Sequence, residues 1–249
     1  MTHAPATRRV DVRYRFTGDE ADPADLAQLS SDERARAGRF LSGQDRASYA
    51  AAHALARRML AAAAAVQPDA LTFVAGPYGK PAIAGPEEAS GIAFNIAHTR
   101  GLVACAVCLE GDVGVDVEAV RAELQPADLA QRFFATSECE GLAAVAADAR
   151  PARFTDLWAL KEAYIKAVGL GLSHALDTFA FSFGPDGRLS FQRPPGDTAP
   201  RVFALFEPKP GFRLAVAAPS GHAVCVVDDT QSTPLEPMYT GAAGGTSHE

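Results

Sequence analysis

The sequence predicts an α+β protein in which one order of elements (a strand, then helices, then several strands) is used twice. Three observations carry that prediction. Residues 9–16 alternate polar and apolar, the period of a half-buried strand. An alanine-rich stretch from about Gln44 to Val66 has the composition of one long helix. A second strand-like stretch, GVDVEAV at 114–120, is again followed by helical segments and short β-rich runs, so the order restarts near Glu110–Asp112.

Taken in order, Val10, Val12, Tyr14 and Phe16 share one face of the first strand, and Arg9, Asp11, Arg13 and Arg15 the other. Ser30 with Glu33 reads as a capping box that opens a short basic helix ending near Phe40. After the long helix, LTFVA (71–75), the turn GPYGKP (76–81), GIAFNI (91–96) and LVACAVCL (102–109) read as strands and turns. In the second round GVDVEAV is a strand. Helices occupy about 126–134, 137–147 and 152–168, and Ser137 with Glu140 offers a second capping box. Short strands follow near 177–183, 187–192, 201–206, 212–217 and 222–227. The expected division is a first unit over 8–111, a second over 112–228, and a flexible tail over 229–249, a segment rich in Thr, Gly, Ser and Pro.

Composition excludes several classes. With 249 residues, 48% apolar and 21% charged, the chain is ordinary globular material with enough length for a sizeable core. A net charge of −7 argues against bulk nucleic-acid binding, though it allows a local basic pocket. No apolar run is long enough to span a bilayer, and MTHAPATRRVDVRYRF lacks the apolar core of a secretory signal, so a cytoplasmic protein is expected. Cys105 and Cys108 lie three apart on a strand and face opposite sides, so they cannot share a metal; Cys139 and Cys225 are isolated.

Five segments could carry chemistry. In GVDVE, Val115 and Val117 point one way and Asp116 and Glu118 the other, which sets two carboxylates side by side. A strand with one wet face explains this; so does a cleft in which a hard divalent cation lies between the acids, and the apolar LVACAVCL argues for a covered sheet. In WALKEAYIKAVGLGL (158–172), Trp158, Glu162 and Lys166 fall on one helical stripe, and Gly169 with Gly171 ends the helix; an exposed Glu162–Lys166 ion pair is the plainer alternative. His98 follows a strand in AFNIAHTRG. Lys80 projects from the rigid GPYGKP turn. Arg46, His53 and Arg57 lie near one stripe of the long helix, with Arg36 and Arg39 upstream. Acids for a metal together with bases for phosphates are the parts of a phosphoryl-transfer site, and no Walker loop, GxGxxG or kinase motif set is present.

The order YGKP, FNIAHT, GVDVE, RFF, WALKEAYIKAVGLGL resembles the 4′-phosphopantetheinyl transferases of the two-lobed Sfp type, over roughly residues 30–183. The resemblance implies two similar α/β lobes related by pseudo-twofold symmetry, each a small, mostly antiparallel sheet with packed helices, and a ligand cleft between them. It implies transfer of phosphopantetheine from coenzyme A to a serine of an apo acyl or peptidyl carrier protein, dependent on Mg²⁺ or Mn²⁺, with release of adenosine 3′,5′-bisphosphate. By motif, Asp116, Glu118 and Glu162 look like metal ligands. Lys166 looks like the cation beside the pyrophosphate, and His98 with Thr99 like phosphate contacts. Lys80, Pro81 and Lys161 look like parts of the coenzyme A pocket, and Arg46 looks like the contact to the 3′-phosphate, with Arg39 a further cofactor-binding candidate and Arg36 and His53 secondary ones. Asp116, Glu162 and Lys166 form the implied catalytic set, Glu162 accepting the serine proton directly or through water. Two positions depart from the pattern: Ala97 and Ala163 stand where relatives usually or often carry serine. A monomer is expected, with the carrier docking near Arg132–Phe134 or along the 152–168 helix. A metal-dependent phosphohydrolase and a non-catalytic coenzyme-binding module are the alternative readings.

Overall fold

The computed structural model describes residues 8–76, 79–169, 171 and 175–242. Two four-stranded sheets lie face to face, and each is backed on its outer side by one long helix. The first sheet has the order β11-β1-β5-β4, from β1 (Arg9–Phe16), β4 (Ala93–Thr99), β5 (Leu102–Cys108) and β11 (Ala223–Asp228). The second has the order β12-β9-β10-β6, from β6 (Gly114–Ala119), β9 (Arg201–Phe206), β10 (Phe212–Pro219) and β12 (Tyr239–Ala242). Two hairpins, β2 (Thr72–Ala75) with β3 (Pro81–Gly85) and β7 (Ala180–Phe183) with β8 (Leu189–Gln192), complete the strands.

Side-chain alternation builds the layers. On β5, Leu102, Ala104, Ala106 and Cys108 face the second sheet, while Val103, Cys105 and Val107 face α3 (Gly43–Ala64). Both faces are covered, so all seven residues of β5 are buried. The two cysteines enter different cores, as their spacing predicts, and burial pushes the Cys105 thiol well up. Across the interface, Val115 and Val117 of β6 and Leu214, Val216 and Ala218 of β10 meet Val10, Val12 and Tyr14 of β1. The opposite face of the second sheet, with Ala215 and Ala217, packs on α6 (Arg150–Val168). Ala97 lies in the inter-sheet core, so the small residue at this position serves packing.

The helices begin and end for identifiable reasons. The Ser30–Glu33 capping box is present and opens α2 (Ser31–Ala37), after the short α1 (Pro23–Gln28). Ser42 Oγ caps α3 by accepting from the Asp45 N–H. Alanines let α3 approach the sheet on one side and α2 on the other. Helix α6 closes at Gly169, whose φ of 74° suits a residue without Cβ. Gly114 is required for another reason: a Cβ there would overlap Ala163 O and Ala167 N, because β6 lies backbone-close against α6.

Four expectations need correction. The second capping box is not at Ser137 and Glu140: α5 (Thr136–Ala144) starts earlier, and Glu138 accepts from the Ala135 N–H. The expected turn over 76–81 gives up its last residue: Pro81 opens β3, which runs to Gly85 through residues for which the sequence predicts no element. Residues 223–228 do not stay with the second sheet but pair in parallel with β1, Val10 opposite Val224 and Val12 opposite Val226. Residues 239–242, inside the expected flexible tail, pair with β9, and Arg153 ties this strand down through Tyr239 Oη. Edge strands with free backbone groups gain ladder partners this way. The long connection between α6 and β6 contains also α4 (Pro126–Phe133).

Candidate active site

The acids of GVDVE lie on the α6 side of the second sheet, not on a wet face. Asp116 and Glu118 point where α6 presents Glu162 and Lys166, one turn apart. Lys166 does not pair with Glu162; its Nζ donates to Asp116 Oδ1 at 2.6 Å. Asp116 is only 5% exposed, and its second oxygen, Oδ2, is buried with no donor among the described residues; Glu162 Oε1 is in the same condition.

The electrostatics show that the three carboxylates share one region. Burial raises the Asp116 carboxyl, opposed by Lys166. Burial, then Asp116, raises Glu162. Burial, then Asp116 and further Glu162, pushes Glu118 up to about 7, against the pull of Lys166 and Arg121. Among the described residues no three Asp, Glu, His or Cys groups stand close enough as they lie to share an ion. Lys166 supplies the only counter-charge in contact with Asp116 among the described residues. Two orphaned carboxylate oxygens and an all-oxygen donor set nevertheless fit a hard divalent cation, and such an ion would offset the burial that raises all three acids and the repulsion that adds to it at Glu118 and Glu162.

His98 stands at the end of β4, on the face opposite Ala97. The protein around its ring lowers its pKa, and Lys166 and His53 lower it further, which places the imidazole between the acidic site and α3. Thr99 follows, its carbonyl accepting from Ser48 Oγ of α3 at 3.5 Å. Arg36, Arg39 and Arg46 are exposed on α2, the loop and α3. His53 and Arg57 are engaged elsewhere: both bind the Glu33 carboxylate, and Arg57, 2% exposed, also donates to Pro68 O and Leu71 O.

Two of the expected pocket lysines are otherwise employed. Lys161 is fully buried; its Nζ contacts Leu176 O at 2.7 Å, Phe179 O at 2.8 Å and Glu138 Oε2 at 2.7 Å. It points into the α6–α5–β7 core, about a quarter-turn from its neighbour Glu162, and reaches no cleft. Lys80 and Pro81 do line a cavity of about 540 Å³, together with Ile83, Asp112 and Val168. The Lys80 ammonium donates to backbone carbonyls of Val113, Lys166 and Ala167.

Reasoning from sequence missed Glu138 as the partner of Lys161. It also missed an apolar recess beside Glu118, lined by Arg121, Leu129, Phe154 and Trp158. The clustering of Phe133, Phe134, Phe154 and the single Trp was the available signal for the latter.

Two family models match the chain in tandem: "4′-phosphopantetheinyl transferase, N-terminal" over residues 22–110, and "4′-phosphopantetheinyl transferase superfamily" over 112–222. A 4′-phosphopantetheinyl transferase of Bacillus subtilis is 31% identical over 195 residues, 78% of this chain and 83% of that one. The 4′-phosphopantetheinyl transferase Sfp of Bacillus subtilis strain 168 is 30% identical over 193 residues, with the same two coverages. The 4′-phosphopantetheinyl transferase HetI of a Nostoc species is 36% identical over 155 residues, 62% of this chain and 65% of that one.

Proposed function

The chain belongs to the 4′-phosphopantetheinyl transferase superfamily, and from that premise we propose that it moves the phosphopantetheine arm of coenzyme A onto a serine hydroxyl of an apo acyl or peptidyl carrier protein. The observation that carries the reading is the β6–α6 junction. Three mutually repelling carboxylates, two of them with donorless buried oxygens among the described residues, sit beside a lysine and a histidine on the side of the second sheet that α6 covers.

In this reading Asp116, Glu118 and Glu162 hold a divalent cation, Mg²⁺ or Mn²⁺, which when bound supplies charge neutralisation for the coenzyme A pyrophosphate. The chain's own groups do the rest. Glu162 accepts the serine proton; burial and Asp116 raise its pKa toward the range in which a general base works best near neutral pH. The serine oxygen bonds to phosphorus as the bond to adenosine 3′,5′-bisphosphate breaks. Lys166, held by Asp116, offers its remaining N–H groups to the phosphoryl oxygens. His98 and Thr99 border the phosphate path, and the exposed Arg39 and Arg46 meet the 3′-phosphate. The two sheet-and-helix halves are read as pseudo-twofold lobes with the ligand between them. The enzyme works as a cytoplasmic monomer; the net charge of −7 supports a partner other than nucleic acid, and among the described residues no helix is long and apolar enough to cross a membrane.

The test is intact-mass analysis of apo carriers after incubation with the protein, coenzyme A and Mg²⁺. The expected product is holo carrier with stoichiometric adenosine 3′,5′-bisphosphate, lost on chelation and restored by Mg²⁺. A free phosphopantetheine arm would make the protein a hydrolase, and bound but unchanged coenzyme A a binding module.

A further inference from the structure

The last carbonyls of any α-helix lack intrahelical donors, and a cation is favoured there by the helix dipole. In α6 those carbonyls belong to the helix that carries Glu162 and Lys166. Their donor comes from the other half of the molecule. Lys80 Nζ lies 2.7 Å from Lys166 O, 3.5 Å from Ala167 O and 3.2 Å from Val113 O. An ammonium has three donors, and here it meets three carbonyls. Val113 immediately precedes β6, the strand of Asp116. The Lys80 stem runs beside the helix-closing Gly169, its Cδ 4.0 Å from where a Cβ would stand, an ordinary contact distance.

The base of this lysine is also fixed. Gly76 N donates to Lys80 O and Gly79 N to Gly76 O, both at 2.9 Å, which ties the backbone of Lys80 to that of Gly76 at the end of β2. Three segments therefore converge on one ammonium: the β2–β3 hairpin, the entry to β6, and the end of α6. The same segments wall the 540 Å³ cavity.

We infer that Lys80 is a positioning residue for the acidic site: its ammonium clasps the end of α6 to the entry of β6, setting Glu162 and Lys166 against Asp116, and it does not contact substrate. This assigns the lysine of the YGKP motif a task inside the protein scaffold. Pro81 beside it keeps its place on the cavity wall.

The kinetic part of the test rests on the transferase reading; the other two parts do not, so failure of that reading and failure of this inference are distinguishable. The chain has four lysines, Lys80, Lys161, Lys166 and Lys209. Under limited acetylation of the wild-type protein without ligand, exposed Lys209 reacts, and Lys80 is protected to a degree that adding coenzyme A leaves unchanged. Free acetylation of Lys80 that coenzyme A then blocks overturns the inference. In Lys80→Met, amide exchange over residues 165–169 quickens in the ligand-free protein; unchanged exchange overturns it. In the same variant kcat for carrier modification falls by about tenfold or more while KM for coenzyme A moves less than about twofold, since misplacement acts on the chemical step. A raised KM at unchanged kcat makes Lys80 a substrate contact. Should Lys80→Met fail to fold, the wild-type acetylation pattern alone decides.

Discussion

Glu33, between α2 and α3, and Glu118, on β6, are both partly buried glutamates, and the protein treats them in opposite ways. Burial would raise Glu33, but His53 Nδ1, Arg57 Nε and the Ser30 N–H surround it, and the balance falls to about 2. Glu118 has no such donors among the described residues; burial and the neighbouring acids push it up to about 7. Glu138 and Lys161 are likewise surrounded by partners deeper in the core, with Phe181 N–H, Ala135 N–H and two carbonyls completing the set, although burial there still raises the Glu138 carboxyl. Glu33 and Glu138, which serve the fold, are surrounded by hydrogen-bond partners. The cluster at β6 and α6 is left short of donors, and the shortage is what a ligand can fill.

The contrast is most sharply tested by removing acids from the unsaturated cluster. Asp116→Ala and Glu162→Gln should each lower carrier modification about 10³-fold, within the range expected for loss of a general base or its partners. The denaturation midpoint should hold or rise, because a like-charge repulsion is removed. Wild-type rates, or a collapse in stability, would break the comparison. The saturated node should behave conversely. Lys161→Met leaves Glu138 buried without its cation, and urea unfolding should show a loss of about 3–5 kcal/mol. Pairing it with Glu138→Gln should recover part of that loss. Raised KM for coenzyme A at unchanged stability would instead return Lys161 to the substrate pocket.

The pH dependences should have opposite signs. Between about 2 and its ordinary 4.5, Glu33 binds fewer protons folded than unfolded, so its contribution is complete above about pH 4.5 and is lost as pH falls toward 2. Glu33→Gln should flatten that acid limb. Between 4.5 and about 7, Glu118 binds more protons folded than unfolded, so its ionisation weakens the metal-free fold as pH rises through that window. Glu118→Gln should remove this decline, and divalent cation should mask it; equal slopes in variant and wild type would count against both. The smallest effects belong to the exposed arginines. Arg39→Ala or Arg46→Ala should raise KM for coenzyme A a few-fold and change stability by no more than about 0.5 kcal/mol.

Much of the site could be read from local periodicity. Alternation in GVDVE placed Asp116 and Glu118 on one side, and i, i+4 spacing put Glu162 and Lys166 on one stripe; both are local properties of a strand or a helix. The cation partner was less legible. An exposed Glu162–Lys166 pair is the natural reading of spacing alone, yet Lys166 crosses to Asp116, a choice made by the closeness of β6 that Gly114 permits. Lys161 looked like a pocket residue by motif, but it adjoins Glu162, and on a helix adjacent residues point about 100° apart. Ser137 and Glu140 had the spacing of a capping box, but Glu138 was drawn into the core by Lys161.

By itself the sequence determined which stretches alternate, where the long helices start and stop, and which acids, lysine and histidine belong to one chemistry, since these follow from spacing along the backbone. Only the tertiary structure decided that β11 crosses to pair with β1, that residues 239–242 extend the second sheet, and that Lys80 binds carbonyls of α6. Those outcomes depend on which unpaired backbone groups come together once both sheets have stacked. A donor buried without an acceptor is costly, so the final partners are chosen by three-dimensional proximity, about which distance along the chain carries no information.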